Sequence, residues 1–200
     1  MSARWRTIPE MFFAQAKAHP SRPALKAKHR GLYREISWEE LVTQVEETAL
    51  GLIDVGIQPG DRVAILSESR PEWAIADLAI LSVGGVTVPI YATLAPSEVG
   101  YILRDAGAQL VFVSSPELMA KFLPFKNELG LKTILFDAPY RVAGPRIWWL
   151  GELVGLGQTS GPEMKEALSR RLSAIREDTL ASIIYTSGTT GPPKGVMLTH

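Results

Sequence analysis

An α/β fold is what the sequence predicts: a doubly wound, mainly parallel sheet with flanking helices, then a C-terminal hairpin belonging to a second sheet. Three observations carry this expectation. Short, wholly apolar runs such as Val63-Ala64-Ile65-Leu66 and Leu110-Val111-Phe112-Val113 suit strands covered on both faces. The segments between them carry helix start and stop signals. Strands alternating with helices imply right-handed crossovers, and therefore parallel pairing. The expected division is 1–176 for an α/β subdomain and 177–200 for the start of the next.

Each element has a local reason. Thr7-Ile8-Pro9-Glu10 reads as a capping box opening a helix that ends before Pro20. Ala24–Lys28 and Leu32–Ile36 flank His29-Arg30-Gly31 as a short hairpin. Ser37-Trp38-Glu39-Glu40 is a second box, followed by an apolar face of Leu41, Val45, Ala49, Leu52 and Ile53. Gly56 stops that helix, and Pro59 prevents its continuation. After Val63–Leu66, Ser69-Arg70-Pro71-Glu72 reads as another capping box, opening a helix apolar nearly all round and hence buried. Val86–Ile90 is the next strand, with Pro89 expected to place its end at an edge or exit.

Pro96 begins a helix with Val99, Ile102, Leu103 and Ala106 on one face, closed by Gly107. Leu110–Val113 follows, then a helix from Ser115 expected to kink at Pro124, then the strand Lys132–Phe136. Asp137 to Gly161 reads as loop with a short helix around Trp149–Leu153. Pro162 to Arg176 reads as a surface helix with a solvated charged face.

Composition narrows the function classes. Lys plus Arg and Asp plus Glu number 21 each, so no basic excess argues for nucleic acid. The chain has no cysteine, which excludes a disulfide scaffold and a thiol nucleophile and suits a reducing, cytoplasmic setting. Met1–Arg6 lacks the apolar core of a signal peptide. The most membrane-like run, Ala74 to Tyr91, contains Asp77, Gly84-Gly85 and Pro89, whereas a span needs about 20 predominantly apolar residues. No transmembrane segment is expected.

Chemistry concentrates in the last sixteen residues. Tyr185-Thr186-Ser187-Gly188-Thr189-Thr190-Gly191-Pro192-Pro193-Lys194-Gly195 sets hydroxyls among glycines and ends on a lysine. Gly188, Gly191 and Gly195 can take positive φ and let backbone N–H groups converge, without a Cβ in the way, as an anion nest. Thr186, Ser187, Thr189 and Thr190 add O–H donors. A lone ion pair about 4 Å apart gains only ~1 kcal/mol in water, or ~4 at a surface-like dielectric. Each hydrogen bond to a charged group contributes ~1.5–3 kcal/mol, so several loop donors outweigh Lys194. This is a grip for a polyphosphate. Its spacing differs from the P-loop, because two prolines precede Lys194 and Gly195 stands where a metal-binding hydroxyl would be. The flanks, Ser182–Tyr185 and Val196–Leu198, read as strands, so no helix dipole stands behind the loop.

Tyr185 to Gly195 resembles the signature loop of the AMP-forming acyl-adenylate ligases, which include acyl-CoA synthetases, luciferases and peptide-synthetase adenylation domains. Asp178–Ile184 is similar too, while Arg70-Pro71-Glu72-Trp73 and Val88–Leu94 resemble the long-chain fatty acid–CoA ligases. The similarity runs from about residue 7 to 200, weakening near 138–160. It implies the N-terminal part of an enzyme that joins a fatty acid to ATP and then to coenzyme A, with Mg²⁺ as companion ion. Thr186, Ser187, Gly188, Thr189, Thr190, Gly191 and Lys194 would hold the ATP phosphates, with Lys194 catalytic and no metal ligand in this stretch. By the same resemblance, the remaining contacts follow the signature loop, so the chain alone is expected to be inactive. A homodimer and a peripheral membrane contact are compatible with this. The alternatives are a relative that loads a carrier protein and a non-catalytic phosphate-binding scaffold.

Other candidates weigh less. Gly84-Gly85 is read as a helix stop, since no G-x-G-x-x-G follows a strand. His19, His29 and His200 lack partners at telling spacing, and His200 is expected to be structural. Trp148-Trp149 reads as a packing anchor. Arg70 and Trp73 fit a ligand face or simple capping and packing equally well. Residues around Ser187–Lys194 are expected to be mobile, because an unpaired hairpin edge is a liability.

Overall fold

The computed structural model describes residues 5–29, 31–137, 144–186 and 191–200. In chain order the elements are α1 (Ile8–Ala18), β1 (Pro23–His29), β2 (Leu32–Ser37), α2 (Trp38–Asp54), β3 (Arg62–Leu66), α3 (Pro71–Ser82) and β4 (Val86–Ile90). Then come α4 (Pro96–Asp105), β5 (Leu110–Val113), the one-turn helices α5 (Pro116–Met119) and α6 (Leu123–Lys126), and β6 (Lys132–Leu135). The last are β7 (Ile147–Trp149), α7 (Leu150–Gln158), α8 (Pro162–Ala174), β8 (Leu180–Thr186) and β9 (Lys194–Thr199).

The α/β class is as expected. A seven-stranded sheet runs β7-β6-β5-β3-β4-β8-β9, parallel as far as β8, with β9 antiparallel. The chain builds outward from β3 to β4, then returns to the other side of β3 with β5. That reversal puts a topological switch point between β3 and β5. Alternating residues explain why these strands are apolar throughout. Val63, Ile65, Leu110, Phe112 and Ile134 share one core with residues of α2, α3, α7 and α8. Ala64, Leu66, Val111, Val113 and Leu135 join the opposite core with Val99, Ile102 and Leu103 of α4.

Local signals operate largely as read. Ser37 and Glu40 form the reciprocal box, with Ser37 Oγ accepting the Glu40 N–H at 3.2 Å and the Glu40 carboxylate accepting the Ser37 N–H at 2.8 Å. Gly56 ends α2 at φ 86°, and the Ile57 N–H closes back on Leu52 O at 2.9 Å. Gly84 is the expected stop, at φ 77°. The Thr7 box is half formed: Thr7 Oγ1 accepts from Glu10 N–H, but the Glu10 carboxylate accepts from Arg6 N–H.

Five expectations need correction. The C-terminal hairpin does not start a second sheet; β8 joins β4 through the pair Thr87↔Ser182 and extends the same sheet. Of the two positions expected for Pro89 only the exit holds: β4 lies between β3 and β8, and Pro89 is its penultimate residue. Val86 donates to Asp61 O on the β3 side, so alternation turns the missing Pro89 donor toward β8, where pairing has already ended at Thr87. The Ser69 box does not form. Arg70 is the N-cap residue of α3, and Glu72 turns its carboxylate to Arg70 Nε at 2.7 Å. The helix expected from Ser115 is two separate turns, α5 and α6.

The fifth correction concerns the stretch read as loop. Trp148 and Trp149 belong to β7, which pairs in parallel with β6, and the helix after them continues to Gln158. Residues 138–143 of that stretch lie outside the described ones. Glycines let α7 sit hard against α2. A Cβ on Gly157 would overlap the Glu47 carbonyl, and one on Gly51 would overlap the Leu153 carbonyl.

Candidate functional site

The signature residues sit on a hairpin at the sheet's edge. Across β8 and β9 the register pairs Tyr185↔Gly195 and Thr186↔Lys194. The structure thus brings together Thr186 and Lys194, one at each side of the loop mouth and both exposed. Gly191 adopts φ 108°, as a converging loop requires. Ser187, Gly188, Thr189 and Thr190 lie outside the described residues, and with them part of the mobility expected for Ser187–Lys194. A β-strand, not a helix, follows Lys194, so the loop has no helix dipole behind it.

Gly195 does not use the positive φ open to a glycine; it is ordinary extended strand. Its missing side chain serves the cross-strand neighbours. A Cβ there would stand 2.7 Å from Ile183 Cγ2 and 3.2 Å from Tyr185 Cζ. The Tyr185 ring lies over that bare backbone, and its hydroxyl donates to Asp105 Oδ2 of α4 at 2.6 Å. Burial, and then the Asp105 carboxylate, push the Tyr185 phenol well above its ordinary value. It stays a neutral donor. Asp105 carried no local sequence signal as a partner, being 80 residues from Tyr185.

Carboxyl ends of parallel strands are the usual ligand face of a doubly wound sheet. Here the switch point is filled from within. Ser114 Oγ, just past β5, donates to Glu68 Oε2 at 2.6 Å. Arg70 spans from Glu72 to Asp137, donating to the Asp137 carboxylate through two nitrogens at 2.9 and 2.8 Å. Its guanidinium also lies 5.5 Å from the Phe136 ring centroid. The Asp137 hydrogen bonds hold the Arg70 pKa up, and reciprocally hold the Asp137 carboxyl below the usual range. Arg70 therefore clasps strand ends, more than the capping role allowed for it.

Two cavities flank this cluster. The larger, about 690 Å³, is lined by Lys28, Arg34 and Arg70 but also by Glu35, Glu68 and Glu72, so opposed charges cancel. The smaller, about 340 Å³, is mainly apolar, with Ser67, Trp73, Pro89, Ile90, Tyr91 and Ile184 on its walls. Ile184 belongs to the hairpin's own stem, so the smaller cavity adjoins the loop.

His200 is structural, as read. Its Nδ1 accepts the Ile8 N–H at 3.3 Å, tying the end of β9 to the start of α1. Burial holds its pKa below the ordinary histidine value. Among the described residues, no three His, Cys, Asp or Glu side chains converge as a metal site would need. Among them also, no helix is long and apolar enough to cross a membrane.

Fold and hairpin together define a doubly wound α/β unit carrying a glycine-and-hydroxyl loop on its sheet edge. A family model described as AMP-binding enzyme matches residues 12–200. The chain belongs to that family. It is 36% identical over 194 residues to the long-chain-fatty-acid–CoA ligase FadD15 of Mycobacterium bovis, covering 96% of this chain and 31% of the relative. It is 31% identical over 198 residues to the long-chain-fatty-acid–CoA ligase ACSBG1 of Bos taurus, covering 98% and 27%. The N-terminal subdomain of NpsA from Klebsiella oxytoca superposes with a TM-score of 0.71 at 25% identity, covering 99% of this chain and 43% of that one. The chain thus spans less than a third of the length of these two curated relatives.

Proposed function

We propose that this chain supplies the ATP-phosphate grip of an acid–CoA ligase acting on long-chain fatty acids. One observation carries the reading: the hairpin register sets Lys194 opposite Thr186 at the mouth of the glycine-and-hydroxyl loop. In this reading Thr186, Ser187, Gly188, Thr189, Thr190 and Gly191 donate to the β- and γ-phosphates, and Lys194 neutralises their charge. The fatty carboxylate then attacks the α-phosphorus in line, and pyrophosphate leaves with the electron pair of the broken P–O bond. The loop's contribution is electrostatic, aimed at charge that grows on the leaving pyrophosphate. Coenzyme A thiolate then displaces AMP from the acyl-adenylate. The apolar cavity beside Ile184 is placed to receive an uncharged part of a substrate.

Residues 1–176 act as the supporting subdomain, and 177–200 carry the grip on an extension of the same sheet, with β8 against β4. Mg²⁺ is the expected companion of ATP. The described residues offer it no converging ligand set. A cytoplasmic enzyme, dimeric or touching a membrane peripherally, fits a chain without cysteine or an expected span. The 200 residues alone are expected to catalyse no ATP–pyrophosphate exchange above buffer.

The test is Lys194→Ala in the full-length protein. ATP–pyrophosphate exchange should fall at least tenfold, a loss of about 1.4 kcal/mol of transition-state stabilisation. An unchanged rate removes Lys194 from the mechanism. Offering coenzyme A and a carrier protein side by side, with a panel of acids, then identifies the acceptor.

A further inference from the structure

Both stems of the loop are held by one face of α4. Tyr101 and Asp105 stand four residues apart on that helix and so project from the same side. Asp105 takes the Tyr185 hydroxyl on the β8 stem. Tyr101 Oη donates to the Pro193 carbonyl at 3.2 Å, on the stem leading into β9. The two tyrosine rings meet edge to face, 6.4 Å between centroids at 89°. Pro192 and Pro193 have fixed φ, so anchoring the Pro193 carbonyl also fixes where the next residue, Lys194, begins.

We infer that Tyr101 is a positioning residue for the phosphate grip, pinning Pro193 so that Lys194 already faces Thr186 before a nucleoside triphosphate binds. This rests on the hairpin being the ATP-phosphate site. Tyr101 acts through the backbone beside Lys194. The consequence is selective. Loosening this stem weakens the hold on ATP and leaves acid recognition alone.

Tyr101→Phe in the full-length protein removes the hydroxyl and keeps the ring against Tyr185. The loss of one hydrogen bond that preorganises the site should raise KM for ATP about three- to tenfold. KM for the fatty acid and the thermal midpoint should stay within error, and kcat should fall less than it does in Lys194→Ala. Unchanged KM for ATP overturns the inference. So does a fall in thermal midpoint with both KM values moving together, which would mean a merely structural contact. Lys194→Ala, assayed alongside, separates the two levels. If it slows exchange while Tyr101→Phe behaves as wild type, the brace is wrong and the phosphate reading stands. If it exchanges at the full rate, the phosphate reading fails and takes the brace with it.

Discussion

Gly195→Ala tests whether the loop stem is built by crowding rather than by backbone conformation. The new Cβ would lie 2.7 Å from Ile183 Cγ2, against about 3.5–4.0 Å for a relaxed carbon contact. Ile183 is β-branched and stiff at χ1, so it yields reluctantly. Overpacking of this kind costs about 1–3 kcal/mol. Replacing glycine in an extended segment also restricts the unfolded chain, which returns about 0.4–1 kcal/mol. Because Ile183 is only half-buried, the net loss should sit near ~1 kcal/mol. Thermal unfolding of Gly195→Ala, Ile183→Ala and the double variant isolates the contact. Removing Cγ2 makes room, so the double variant should be more stable than the sum of the singles predicts, by about 1 kcal/mol. The displaced Tyr185 ring should also raise KM for ATP. Strict additivity, with KM unchanged, would refute the crowding argument.

Two further predictions follow from packing and burial. Gly157→Ala forces a Cβ into the Glu47 carbonyl, so α7 must move off α2. Equilibrium unfolding should show a loss of about 1–3 kcal/mol. His200 is buried and accepts the Ile8 N–H, so its folded pKa lies below the ordinary value of about 6.5. A depressed value favours the neutral form; the stabilisation is present above pH ~6.5 and lost as pH falls through the folded value. Thermal melts from pH 8 to 5 should show this slope, and His200→Asn should reduce it.

The sequence revealed the elements whose reasons are local. Ser37 and Glu40 sit three residues apart, and Gly56 stands next to the helix it ends, so capping physics needed nothing distant. β7 escaped notice because three residues, Ile147–Trp149, are too few for a period, and their partner β6 lies beyond residues 138–143. The full length of α7 was hidden by Gly151, Gly155 and Gly157. Glycine costs about 1 kcal/mol in a helix interior, yet two of the fold's closest approaches, at Gly51 and Gly157, depend on it. For Pro89 the sequence left edge and exit open, and the exit holds because the ladder to β8 had already ended at Thr87.

For the candidate site, residue types and spacing identified the loop and Lys194, and the register added their pairing. Tyr101 and Asp105 could not be singled out, since their partners lie 92 and 80 residues away. Gly195 stood out as a glycine of the loop, but its role did not. Its role depends on Ile183 and Tyr185 across the strand, which only the register reveals.

The most direct measurement is a crystal structure of the full-length protein with a non-hydrolysable ATP analogue. The β- and γ-phosphate oxygens should lie within about 3 Å of the loop donors between Thr186 and Gly191 and of Lys194 Nζ. A triphosphate seated instead at the switch point between β3 and β5, remote from Lys194, would contradict the account.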